Sequence, residues 1–223
     1  MHCGIGPHLE TDLADAGLRR PTHTFDERLE LKVAGLNIVL QHAPGETDDQ
    51  LHLWLPDAQV LLPADNFYRA FPNLYTIRGT PYRDVRAWVR SLDAMRALKP
   101  KVLVPSHTRP LQGAEVVYNA LTDYRDAIQY VHEQTVRGMN LGLTPDALVE
   151  QVRLPQHLSK SPYLAEHYGT VAWSVRSIFD GYLGWFDGVA AHLEPLSEKA
   201  RAQRWARALP KGSSLAGLAK QAL

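Results

Sequence analysis

The chain has 223 residues, 45% hydrophobic and 22% charged, which is enough for one large domain or two small ones around a real core. Lys plus Arg and Asp plus Glu both total 24, so no global field argues for nucleic acid or an anionic membrane as partner. The single cysteine, Cys3, excludes an intrachain disulfide. No stretch reaches the roughly 18 apolar residues of a membrane span. The first twenty residues carry His2, Glu10, Asp12, Asp15, Arg19 and Arg20 with no apolar run of the signal-peptide kind. On this chain alone the expected location is cytoplasmic, and a leader upstream of Met1 would change it.

In chain order, Leu29, Leu31 and Val33 alternate with polar residues and predict a half-buried strand over 28–33. Ala34-Gly35 turns into a second strand, 36–41. Leu51, Leu53 and Leu55 mark a third, and 59–62 a fourth, so the opening is an antiparallel meander. The period then changes. Tyr82, Val85, Val89, Leu92 and Met95 recur every three or four residues, an amphipathic helix over 82–98 stopped by Lys99-Pro100. Residues 101–105 form a short buried strand. Beyond Gly113 the pattern is helical throughout. Val117, Leu121, Tyr124, Ile128 and Val131 share a face, with Gly138 as the expected stop. Thr144-Pro145 caps another helix, Val171 to Tyr182 forms a third, and 197–209 a last one. A boundary near Gly113 divides an α/β part, 1–113, from an all-helical part, 114–210, with 211–223 a frayed tail.

Three polar residues stand at strand edges. Glu46 lies in the loop His42-Ala-Pro-Gly-Glu-Thr47, Asp65 ends Val60-Leu-Leu-Pro-Ala-Asp65, and His107 ends Lys101-Val-Leu-Val-Pro-Ser-His107. Alone, Glu46 is a solvated loop acid beside Asp48 and Asp49, and a lone strand-end histidine is more often structural than a ligand. Together, two carboxylates and an imidazole suit a hard-to-borderline divalent ion. His42 and His52 flank the loop, either as supports for these ligands or as strand residues facing water. His132-Glu133 lacks the second histidine of a zincin helix.

This order of residues resembles the second half of the metallo-β-lactamase fold, and Glu46, where a histidine is usual, resembles the alkylsulfatase branch. So does Asn73-Leu-Tyr-Thr-Ile-Arg-Gly79, read otherwise as a plain loop with Arg78 solvated. Tyr182-Leu-Gly-Trp-Phe-Asp-Gly188 resembles the alkylsulfatase dimerisation domain, although an aromatic core helix and turn fits it too. The resemblance covers roughly residues 4–209. It implies an α/β architecture, the second half of a metallo-β-lactamase αββα sandwich followed by an all-helical dimerisation domain. It implies Glu46, Asp65 and His107 as zinc ligands, with Asp65 bridging two ions where alkylsulfatases often have Glu. It also implies Asn73 and Arg78 as the sulfate-binding pair, and a guanidinium fork and an amide do suit sulfate oxygens. Tyr68, Arg69 and Tyr75 are further candidates for lining the site.

The motif H-x-H-x-D-H, which supplies the family's other ligands, is absent from these 223 residues. The expectation is therefore a fragment, or a truncated form, of a zinc-dependent alkyl sulfate ester hydrolase that works through metal-activated water. The chain itself should be inactive and bind at most one zinc, weakly. A homodimer through the helical part and a small sulfate ester are its expected partners. Two rivals stand: a non-catalytic dimerisation protein with a relic α/β half, and another metallo-β-lactamase-fold hydrolase such as a thioesterase or lactonase.

Overall fold

The computed structural model describes residues 20–75, 77, 79–209, 216, 217 and 220. Arg78, one of the two expected sulfate contacts, and nearly all of the expected tail lie outside the described residues. Strands β1 (Arg28–Val33), β2 (Leu36–His42), β3 (Leu51–Leu55) and β4 (Val60–Leu62) form the expected meander. The short strands β5 (Val102–Leu103) and β6 (Leu111–Gln112) complete a sheet of order β1-β2-β3-β4-β5-β6. Only the β4–β5 pair is parallel, and its crossover carries helix α1 (Val85–Ala97). β6 was not expected; two residues carry too little periodicity to announce a strand.

The register divides the sheet into two unlike faces. Leu29↔Leu40↔Leu53↔Leu62 run across one face, with Leu31↔Ile38 and Leu55↔Val60 beside them. Apart from His42, paired with Leu51 at its end, that face is apolar and only half-buried, and Val33 and Leu36 at its edge are exposed. The opposite face places Trp54 beside Leu61 and Leu61 beside Leu103, all buried in the core with α1. At β3 and β4 the sheet is thus apolar on both faces, as suits a layer in the middle of a fold, while Arg28, Glu30, Lys32, Asn37 and Gln41 make the α1-side face polar at β1 and β2.

α1 begins at Val85 and not at Tyr82. The Asp84 carboxylate accepts from the backbone N–H of Arg86 and Ala87, which fixes the first turn there. Tyr82 lies before the cap and packs instead against Tyr182, with ring centroids 6.1 Å apart. Helix α2 (Ala114–Asn140) buries Val117, Leu121, Tyr124, Ile128 and Val131 as its periodicity requires, but it runs through Gly138. Gly138 is small because the side chain of Leu148 packs on it, and the stop comes at Gly142 (φ +76°). There Leu143 N–H donates to Gly138 O and Gly142 N–H to Met139 O, which is a Schellman motif. α3 (Pro145–Gln151), the short α4 (Gln156–Ser159) and α5 (Val171–Leu183) follow, with Thr144 and Thr170 capping α3 and α5. One continuous apolar cluster joins Leu61 of the sheet, Trp88, Tyr124 and Val175.

Residues 185–223 form a second compact unit. It holds α6 (Ala190–Leu193) and α7 (Glu198–Ala208), the latter capped by Ser197. Neither helix has a buried residue, and Trp185, Leu193, Leu196 and Trp205 are exposed. Among the described residues no helix is long and apolar enough to cross a membrane.

One buried polar group beneath the sheet makes stability depend on pH. His52 is 3% exposed and its Nδ1 has no hydrogen-bond partner among the described residues. Burial, aided by the Arg28 charge, pushes its imidazole down from 6.5 to about 4. The folded state thus holds the neutral form, and protons bind the unfolded chain first. Stability is complete above about pH 6.5 and falls as the pH drops to about 4, by about 3 kcal/mol from this group. Denaturant melts from pH 7.5 to 4 should show a steeper loss for the wild type than for His52→Gln. Parallel curves would remove His52 as the cause.

Candidate active site

The site forms at one end of the sheet. The parallel pairing Leu61↔Leu103 brings the ends of β4 and β5 side by side, and Val104 N–H donates to Leu61 O at 2.8 Å. The chain leaves β4 into a 3-10 turn, Ala64–Asn66, that carries Asp65, and leaves β5 into the loop that carries His107. Asp65 thus sits in a turn past the strand, where a strand end was expected. Clefts beyond the ends of adjacent parallel strands are where open α/β sheets place their ligands.

His107 Nε2 lies 3.2 Å from Asp65 Oδ1. The pair is close enough for charge attraction but not aligned as a hydrogen bond, and that buried oxygen has no donor among the described residues. Two donor atoms sharing one tetrahedral ion at about 2.0–2.2 Å lie about 3.3 Å apart, so the spacing and the orphaned oxygen both fit a cation between them. The Thr108 hydroxyl beside them is likewise buried without a partner among the described residues. No group of three or more His, Cys, Asp or Glu stands ready-made around one ion point among the described residues.

Glu46 reaches the same corner from the β2–β3 loop. It is 8% exposed, and burial raises its carboxyl above the ordinary range. Arg83 opposes that rise, Asp65 adds to it, and His107 lowers it slightly, as expected for groups sharing one corner. Asn66 holds the loop down. Its Oδ1 accepts from Glu46 N–H at 3.1 Å, its Nδ2 donates to Ala43 O at 2.6 Å, and Trp88 Nε1 donates to its carbonyl at 3.1 Å. Ser91 of α1 donates to Pro44 O at 2.7 Å.

Arg83 connects this corner to the Asn73 loop. Its guanidinium is 6% exposed, and Nη1 donates both to Glu46 Oε1 (3.1 Å) and to the Asn73 carbonyl. Asn73 N–H donates to the Tyr68 hydroxyl at 2.6 Å, so the Asn73 backbone is held from both sides. Gly169 closes the other flank, because a Cβ there would strike the Pro72 carbonyl. Past Asn73, Tyr75 and Ile77 line a cavity of about 410 Å³ with Tyr82 and with Trp173 and Gly181 of α5.

Sequence reasoning missed Arg83 and Asn66. Both are buried polar residues one or two positions from a motif residue or a helix cap, and nothing in their own type or period marks them. Of the other candidates, Tyr68 supports Asn73, while the Arg69 guanidinium lies 5.8 Å from the Tyr163 ring centre. His42 is exposed and bonded through Nε2 to Asp48 O (2.7 Å).

Comparison with known proteins places the fold. The metallo-beta-lactamase superfamily model matches residues 6–107, and the alkyl sulfatase dimerisation model matches residues 144–223. A linear primary-alkylsulfatase of a Pseudomonas strain is 48% identical over 208 residues, covering 90% of this chain and 38% of the relative. An alkyl/aryl-sulfatase of Saccharomyces cerevisiae is 32% identical over 209 residues, covering 92% of this chain and 32% of its own length. The solved structure of a stereoselective inverting sec-alkylsulfatase from Pseudomonas sp. superposes with a TM-score of 0.79 at 30% identity, covering 86% of this chain and 31% of that one. The chain therefore spans about a third of the length of the relatives it matches. It combines the second half of a metallo-beta-lactamase domain with an alkyl sulfatase dimerisation region, and its kinship is with the alkylsulfatases.

Proposed function

We propose that the chain is the sulfate-binding and dimerising part of a metal-dependent hydrolase of alkyl sulfate esters. The observation that carries the reading is Arg83, whose one guanidinium joins the acid of the metal corner to the loop that would hold sulfate. Asp65, His107 and the free oxygen of Glu46 would hold a hard-to-borderline divalent ion, which two carboxylates and an imidazole suit, and zinc is the ion the alkylsulfatase resemblance implies. Bound there, such an ion supplies an activated water at neutral pH. Three ligands make a partial shell. On its own the chain should hold at most one ion, weakly, while two would bind in a form that also carries H-x-H-x-D-H. Asn73 and Arg78 would grip the sulfate oxygens, orient the ester, and offset the charge that grows on sulfate as the ester bond breaks. The half-buried apolar sheet face suits the second sheet layer of the αββα sandwich that such a form would contribute.

The reading is tested with the chain joined in cis to, or co-expressed with, a half carrying H-x-H-x-D-H. Release of sulfate from dodecyl sulfate, with no turnover of an acyl thioester, is the expected result. The reverse preference would favour a thioesterase or lactonase, and no turnover of either would favour a dimerisation protein.

We further propose that the chain assembles as a homodimer through residues 114–210. The alkyl sulfatase dimerisation match and the exposed Trp185 (69%), Leu193 and Trp205 (68%) support this. Light scattering at micromolar concentration should read twice the 25.0 kDa chain mass, and a monomer would count against it.

A further inference from the structure

A buried arginine needs a reason. Arg83 is 6% exposed on a segment that has not yet entered α1, its Nε has no partner among the described residues, and one nitrogen carries both of its bonds. If the side chain served only to neutralise a buried acid, its bonds would go to the carboxylate, commonly through both nitrogens of the fork. Instead Nη1 is shared between Glu46 Oε1 and a main-chain carbonyl. The carbonyl belongs to Asn73, whose N–H is pinned by Tyr68. The Glu46 backbone is fixed independently through Asn66. Arg83 therefore sets the one thing these contacts leave open, the rotation of the Glu46 carboxylate. With Oε1 held by the guanidinium, Oε2 is the oxygen left for the corner of Asp65 and His107.

We propose that Arg83 is a positioning residue: it turns the Glu46 carboxylate so that one oxygen faces the cation corner, and it locks that corner in register with the Asn73 loop. The role rests on the metal-site reading given above. It predicts an effect of geometry, not of charge, because a bare positive charge beside the site would repel a cation. Removing the charge relieves that repulsion but also leaves Glu46 buried without its counter-ion, so the variant that keeps the charge and loses only the fork isolates positioning.

Co²⁺ titration of the 223-residue chain at pH 7.5, followed by calorimetry and by visible absorbance, separates these. Arg83→Lys keeps the charge but loses the planar fork, and it should weaken Co²⁺ binding roughly three- to tenfold. Arg83→Met should weaken it by on the order of tenfold or more. Thermal melts without metal report folding separately, and if Arg83→Met does not fold, the Lys variant decides alone. Lys binding within twofold of wild type, or Met binding tighter than wild type, overturns the positioning role while leaving the metal site intact. No Co²⁺ uptake by the wild-type chain overturns the metal reading itself and the role built on it.

Discussion

Gly45→Ala should lower the melting temperature by roughly 6–20 °C. A Cβ at position 45 would overlap Asn66 Oδ1, lie 2.7 Å from Asn66 Cγ and 3.0 Å from Trp88 Cδ1. None of these can yield cheaply. Asn66 and Trp88 are both fully buried, and the Asn66 side chain is bonded at both ends, to Glu46 N–H and Ala43 O. Swinging it away strands a buried donor and a buried acceptor at about 1–3 kcal/mol each, and forcing the methyl in costs about 1–3 kcal/mol more. The lower part of that sum, roughly 3–5 kcal/mol once the freed groups find water or new partners, is a large share of the 5–15 kcal/mol that holds a typical domain together, and about 2–4 °C per kcal/mol gives the shift for a chain of this size. Gly35→Ala is the control. Its backbone is left-handed (φ +86°) but a Cβ there meets nothing within 4 Å, so it should cost only about 1–2 kcal/mol of strain. Equal shifts for the two variants would show that the Gly45–Asn66 contact is not what holds the Glu46 loop.

That contact also shows where the sequence was readable and where it was not. Apolar period and turn residues located β1 to β4 within a residue or two, because each pattern is local and repeats several times. The same logic set the helix faces of α1, α2 and α5. It misplaced ends wherever a single side chain decided the matter: Asp84 moved the start of α1, and Leu148 packing on Gly138 let α2 continue to Gly142. Glu46, Asp65, His107 and Asn73 were legible as candidates because their types and order carry chemistry. Asn66 and Arg83 were not, since their importance lies in partners 20 and 37 positions away, Glu46 in both cases. Supporting residues of this kind are defined by the tertiary fold, and no local spacing encodes them.

Arg78→Ala, in the form completed by H-x-H-x-D-H, should lower kcat/KM for a primary alkyl sulfate by on the order of 10² or more. The estimate follows from losing one charge-assisted contact of roughly 3 kcal/mol to a sulfate oxygen. How the loss divides between constants tests the role more sharply than its size. Sulfate already carries its charge in the ground state, so a contact equally strong before and during reaction would raise KM and leave kcat alone. A guanidinium that opposes charge growing on sulfate as the ester breaks should lower kcat as well. The second outcome is expected, because Asn73, held by Tyr68 and Arg83, already offers a fixed group for ground-state orientation. Arg78→Lys should recover only part of the rate, since an ammonium keeps the charge but cannot form two parallel bonds. Asn73→Ala should fall mainly in KM. Unchanged sulfate-ester turnover in Arg78→Ala would remove Arg78 from the site and with it the strongest reason to prefer sulfate over a thioester or lactone.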